Sequence, residues 1–191
     1  MRLDDGRFDD LRYHTERFNR SRRELFGCAD EIDLAARIAV PDDCRAGLYK
    51  CRVVYERDII GTEFVPYRMR TIHRLQLVRE DTVDYTYKYD DKRALEALVA
   101  RRGVCDDVII VKRGCVTDAS FCNLAFYDGA RWITPDTPLL AGTRRARLLE
   151  AGRIVEGRIR PGDLGAYSTV AMINAMIDLG QLTIPIDGIV E

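Results

Sequence analysis

The 191-residue chain lacks most of what would mark a metal, secreted or membrane protein. It has two histidines, and its six cysteines (Cys28, Cys44, Cys51, Cys105, Cys115, Cys122) form no CxxC pair and no regular framework. That leaves too few ligands at metal spacing for a zinc site and points to buried, reduced thiols. No run of 18 apolar residues occurs, so no membrane-spanning helix is expected. The first ten residues, MRLDDGRFDD, are too acidic and polar for a secretory leader. A large charge of one sign is also missing. The formal net charge is -1, which gives no electrostatic reason to expect a nucleic acid as partner. Internal repeats and low-complexity stretches are absent. With 47% hydrophobic and 32% charged residues, the composition is that of a soluble, cytoplasmic globular chain with a real core.

What is present reads as an α+β chain. Apolar spacing through Leu11, His14, Phe18 and Leu25 predicts a helix over 7–27 stopped by Gly27, and a second helix is expected over 30–38. Strands are expected in GLYKCRVVYER, GTEFVPYRM and TIHRLQLVRE, forming a small antiparallel sheet packed by those helices. The polar link REDTVD suggests a boundary near 78–84. A helix at about 90–102 and a hairpin series from 107 to 135 follow, with turns at Arg113-Gly114 and Asp128-Gly129. A helix near 143–151, a strand and loop in GRIVEGRIRPGDL, and a mostly apolar terminal helix ending at Gly180 complete the reading.

Two stretches break local rules. In VDYTYKYDD, residues 83–91, Val83, Tyr85, Tyr87 and Tyr89 share one side of a strand-like alternation, and Asp84, Thr86 and Lys88 share the other. Lys88 is either a solvent-facing lysine on an edge strand or an amine held for chemistry. In GTRRARLLEAG, Thr143 is the expected N-cap, yet Arg144, Arg145 and Arg147 crowd the first turn, where the helix dipole disfavours cations. Either the arginines solvate an outer face, or the helix start, the Thr143 hydroxyl and an arginine form an anion site. On the first helix His14, Arg17 and Ser21 share a face, where an ion pair or a ligand contact would satisfy the arginine.

Together these residues resemble the class IV aminotransferases, the fold-type-IV pyridoxal-phosphate enzymes. The resemblance is carried by Gly114, Asp118, Asn123, Thr134-Pro135 and Gly142-Thr143-Arg144-Arg145 at the family's spacing, by YHTERFNRS, and by DYTYKYDDK. The C-terminal DLGAYSTVAMINAM is similar to the short members of the 4-amino-4-deoxychorismate lyase-like branch. The resemblance implies a two-domain D-amino-acid-aminotransferase-like fold, with a small N-terminal α+β domain over 1–82 and a larger, mixed-sheet, cofactor-binding domain over 83–191. It implies pyridoxal 5'-phosphate as cofactor, a small amino substrate and a homodimer. Lys88 would join the cofactor and move protons. Asp118, in place of the family's glutamate, would pair with the ring nitrogen, and Asn123 would fix the turn. Arg17, Gly142, Thr143 and Arg144 would hold the phosphate, Arg144 standing where the family has threonine. Arg52 and Lys92 are candidates for substrate carboxylates, Arg52 being equally suited to a cross-strand ion pair. The implied reaction eliminates pyruvate from 4-amino-4-deoxychorismate to give 4-aminobenzoate. A transaminase of the branched-chain or D-amino-acid type is the alternative. So is a non-catalytic member, because the aromatic-Glu-Thr strand that relatives carry near their N-terminus is not found here.

Overall fold

In the computed structural model, which describes residues 1–191, two short strands come before the first helix: β1 (Arg2–Asp4) and β2 (Arg7–Phe8). The helix expected from residue 7 therefore begins later, as α1 (Leu11–Phe26). Its end is as expected: Gly27 takes φ 66°, a left-handed conformation that costs glycine little, and its N–H closes onto the carbonyls of Arg22 and Arg23. Phe18 is buried on this helix, whereas Leu25 is exposed. The second helix shrinks to one turn, α2 (Leu34–Arg37), capped by Asp33, whose side chain accepts from the Ala35 N–H. With β3 (Leu48–Tyr55) and β4 (Ile59–Pro66), the first strands form a sheet in the order β2-β1-β3-β4. Phe18, Ile32, Leu34, Ile38 and Cys51 make the core of this unit.

One arginine is decisive for that core. Arg22 is 3% exposed and spends its guanidinium on four acceptors: Asp30 Oδ2 (2.9 Å), the Asp30 carbonyl (2.9 Å), the Arg57 carbonyl (2.8 Å) and Asn19 Oδ1 (3.3 Å). It ties α1 to the 28–33 loop and to the β3–β4 turn. A buried charge is tolerated only when its donors are satisfied in this way.

The chain divides at Met69/Arg70 rather than near residue 82. The reason is β5 (Leu75–Arg79), which pairs in parallel with β6 (Asp107–Lys112) instead of joining the first sheet. The second unit, Arg70–Glu191, holds a nine-stranded sheet. Its strands include β7 (Cys115–Ala119), β8 (Asn123–Tyr127), β9 (Trp132–Pro135), β10 (Val155–Gly157), β11 (Thr169–Ile173), β12 (Thr183–Pro185) and β13 (Ile189–Val190). The expected hairpins are present. Arg113 and Gly114 both have positive φ (50° and 74°), as a two-residue turn between β6 and β7 requires.

Two expectations fail. Residues 83–91 form no strand. The alternation is real, since Val83 and Tyr85 are buried, Tyr87 and Tyr89 are half-buried and Thr86 and Lys88 are exposed, but no neighbouring backbone pairs with it. The segment is instead tied by side-chain bonds, one set local and one from β6. Asp84 accepts from the Thr86 N–H (3.0 Å) and hydroxyl (2.7 Å), and Lys112 Nζ donates to the Val83 carbonyl (2.5 Å). The terminal apolar helix is also wrong. TVAMI is β11, antiparallel to β8 on one edge and to β12 on the other. A short apolar run buried on both faces carries no helical period to tell it from a strand.

The path from β7 to β9 shapes the interior of the second unit. The turn 119–122 closes with a bond from the Ala119 N–H to the Cys122 carbonyl, and β7 then pairs with β8 at one position only, Asp118 opposite Asn123. Further along, β8 leaves β7 and pairs with β9 through Phe126 and Tyr127. The sheet therefore forks beside Asp118 and Asn123.

Candidate active site

Asp118 and Asn123 are both buried at the mouth of the fork. Asn123 Nδ2 donates to Asp118 Oδ1 (2.8 Å) and to the Leu140 carbonyl (2.8 Å), while the Leu140 N–H donates to Asp118 Oδ2 (2.9 Å). The 136–142 loop is thus drawn into the fork and delivers its last residue, Gly142, against Asn123. A Cβ at Gly142 would lie 2.0 Å from Asn123 Oδ1, so the close approach demands glycine. Burial pushes the Asp118 carboxyl up to about 6; the bonds from Leu140 and Asn123 and the charge of Arg145 oppose this only in part.

The helix α4 (Thr143–Glu150) starts at this point. Its N-cap is Gly142, not the expected Thr143, which is the first helical residue and is buried. Two of the three arginines, Arg144 and Arg145, neither solvate a face nor stand open, while Arg147 is half-buried. Arg145, 5% exposed, donates to Thr134 Oγ1 (3.3 Å), the Pro135 carbonyl (2.9 Å) and Glu156 Oε1 (2.6 Å). Arg144, 3% exposed, reaches Asp178 Oδ2 (3.1 Å) and the Ala175 carbonyl (3.3 Å). Acidic partners from other segments offset the unfavourable dipole term, and these guanidinium groups bind α4 to β9, β10 and the 174–178 turn.

Lys88 is exposed, with Nζ 5.8 Å from the centroid of the Tyr85 ring. Its charge acts on the buried thiol of Cys122, the residue before Asn123, and so does Asp118; burial is nonetheless the main cause that pushes this thiol up. The second unit thus holds an exposed amine, Lys88, and, joined to one another through Asn123, a buried acid raised to about 6 and a helix start. Lys92 is exposed at the head of the helix α3 (Arg93–Val99). Arg52, in the first unit, faces its cross-strand neighbour Glu63 at 3.4 Å, the ion-pair alternative. Arg17 is half-buried on α1 in the first unit, on the face that also carries buried His14 and Ser21.

Sequence reading missed Asp107, which is 0% exposed at the start of β6. No hydrogen bond of good geometry reaches either carboxylate oxygen, although Ser120 and the Val108 amide lie beside it, and burial pushes its pKa up. The doublet Asp106-Asp107 reads as a polar strand entry. Only the period-two relation of Asp107 to Ile109 and Val111, both buried, hints that this carboxyl points inward.

The profile of the family "Amino-transferase class IV" matches residues 85–183, slightly more than half of the chain. The chain belongs to the class IV aminotransferases. An uncharacterised protein from Haemophilus influenzae is 35% identical over 176 residues, covering 91% of this chain and 94% of its own length. The crystal structure of a candidate 4-amino-4-deoxychorismate lyase from Haemophilus somnus is 34% identical. It superposes with a TM-score of 0.87 over 93% of this chain and 94% of that one. A hypothetical aminotransferase from Mycobacterium tuberculosis, in its form with bound pyridoxal phosphate, shares the fold. It has a TM-score of 0.77 at 20% identity, over 98% of this chain and 78% of that one. Class IV aminotransferases depend on pyridoxal phosphate, and the donor set described above suits that group: an amine for its aldehyde, a buried acid for its ring nitrogen and a helix N-terminus for its ester phosphate.

Proposed function

We propose that this chain is a pyridoxal-phosphate-dependent lyase that eliminates pyruvate from 4-amino-4-deoxychorismate and so forms 4-aminobenzoate. The observation that carries the reading is the buried Asp118 carboxyl, held by Asn123 and Leu140 in the same unit as the Lys88 amine. The similarity to the Haemophilus somnus protein over nearly its whole length supports the choice of substrate.

Bound pyridoxal phosphate would supply an electron sink for the bonds broken at the substrate. Lys88 is the residue to hold its aldehyde and, once released, to take the proton from the substrate carbon that bears the amine. Asp118 keeps a proton at the ring nitrogen; its acceptor oxygens are oriented by Asn123 and by the Leu140 amide, so the carboxyl is placed before any ligand arrives. Gly142 and Thr143 open α4 and present its first N–H groups to a phosphate.

Purified protein mixed with pyridoxal phosphate should gain a visible absorption band that Lys88→Ala lacks and Lys92→Ala keeps. With 4-amino-4-deoxychorismate it should release pyruvate, read through lactate dehydrogenase. A Lys88→Ala variant that colours like the parent would end the assignment of that lysine. Amino transfer to 2-oxoglutarate without pyruvate release would replace the lyase by a transaminase.

A further inference from the structure

Arg70 opens the second unit, and its guanidinium carbon lies 4.8 Å from the centroid of the Phe121 ring. It differs from Arg22, Arg144, Arg145 and Arg158, each of which has a carboxylate within ion-pair distance. Arg70 is exposed, and no carboxylate lies within ion-pair distance of it. Two acids feel its charge. Asp106 already accepts from the His73 and Arg74 amides, at 2.7 and 3.0 Å. Asp107 is buried, and burial favours its neutral form. Neither acid is within ion-pair distance of the guanidinium, so its N–H fork is not taken up by a carboxylate.

The shelf under Arg70 is fixed. Asn174 Nδ2 donates to the Phe121 carbonyl (3.2 Å) and to Cys122 Sγ (3.1 Å). Cys122 is the thiol on which the Lys88 ammonium acts. Arg70 thus stacks on the residue that precedes this thiol in one pinned turn. The two side chains first expected to bind substrate carboxylates are otherwise placed, Arg52 against Glu63 and Lys92 at the head of α3.

We propose that Arg70 is the residue that receives a carboxylate of the amino substrate. This rests on the reading of Lys88 as the amine that joins the cofactor. A guanidinium offers two parallel N–H groups to a carboxylate, and stacking on an aromatic face orients the fork before the ligand arrives. Lysine would keep the charge but lose both the fork and the stacking.

The test compares 4-aminobenzoate with aniline, which lacks the carboxylate. Binding is measured by calorimetry on the full chain saturated with pyridoxal phosphate, for the parent, Arg70→Met and Arg70→Lys. The parent should bind 4-aminobenzoate at least tenfold more tightly than aniline. In Arg70→Met the ratio should fall to about one with aniline affinity unchanged, and Arg70→Lys should lie between them. A ratio that survives in Arg70→Met, or one that is absent in the parent, overturns the proposal. The lyase reading fails separately: the visible band is recorded first, to establish saturation, and pyruvate release is assayed on the same sample, so a ratio that fails in coloured protein counts against Arg70 alone.

Discussion

Replacing Asp118 by asparagine tests whether a buried acid sits at the fork. The carboxyl titrates near 3.8 in an unfolded chain and about 6 in the folded one, a rise worth about 3 kcal/mol. Because the folded value is the higher, the native chain keeps a proton that the unfolded chain gives up between about pH 4 and 6. Asp118 therefore favours folding fully below its unfolded value. That contribution is lost as pH rises through about 6. Asparagine removes this dependence but offers one acceptor oxygen where the carboxyl uses two, for Asn123 and for the Leu140 amide. One buried donor is then left unmatched, at a cost of about 1–3 kcal/mol at every pH. At pH 4 Asp118→Asn should be the less stable by that full amount. At pH 8 the parent has lost about 3 kcal/mol that the variant never had, so the gap should close or reverse in sign. Urea denaturation of both proteins at intervals from pH 4 to 8 measures the gap, and all other titrating groups drop out of the difference. Two stability curves that run parallel across this range would refute the reasoning.

Other perturbations follow from the same geometry. Arg145→Met removes a cation that opposes protonation of Asp118, so the pH window in that denaturation series should move upward. Gly142→Ala forces Asn123 off both of its partners and should cost about 3 kcal/mol in denaturant unfolding. Adding Asn123→Ala to Gly142→Ala should cost clearly less than Asn123→Ala alone, because the two changes break the same bonds. In the first unit, Arg22→Met strands four acceptors and should lower stability by about 3 kcal/mol. Arg22→Lys should recover only part of this, since an ammonium cannot span the fork of partners.

What the sequence showed best was local. The glycine turns at 113–114 and 128–129, the stop of α1 at Gly27 and the existence of α4 each depend on a few consecutive residues. The spacing of Gly114, Asp118 and Asn123 carried the family resemblance, but that Asp118 lies opposite Asn123 came only from the structure. The failures are non-local. Nothing in VDYTYKYDD says whether another backbone will pair with it, and none does. The run TVAMI could not announce that β8 and β12 would flank it. The arginines of α4 were legible as an anomaly, but their resolution lies in Glu156 and Asp178, 11 and 34 residues away. Asp107 was hidden because an acid beside another acid at a strand entry reads as surface, and only the fold turns it inward.

A single rung joins β7 to β8 before the strands part, and the 136–142 segment lies in the gap. That segment works as a shim. Adding or deleting a residue within it would reset the opening between the two strands, and with it the room around Asp118, while leaving every site side chain in place. Variation in the length of this stretch is therefore a route by which the fold can resize its interior without altering its chemistry.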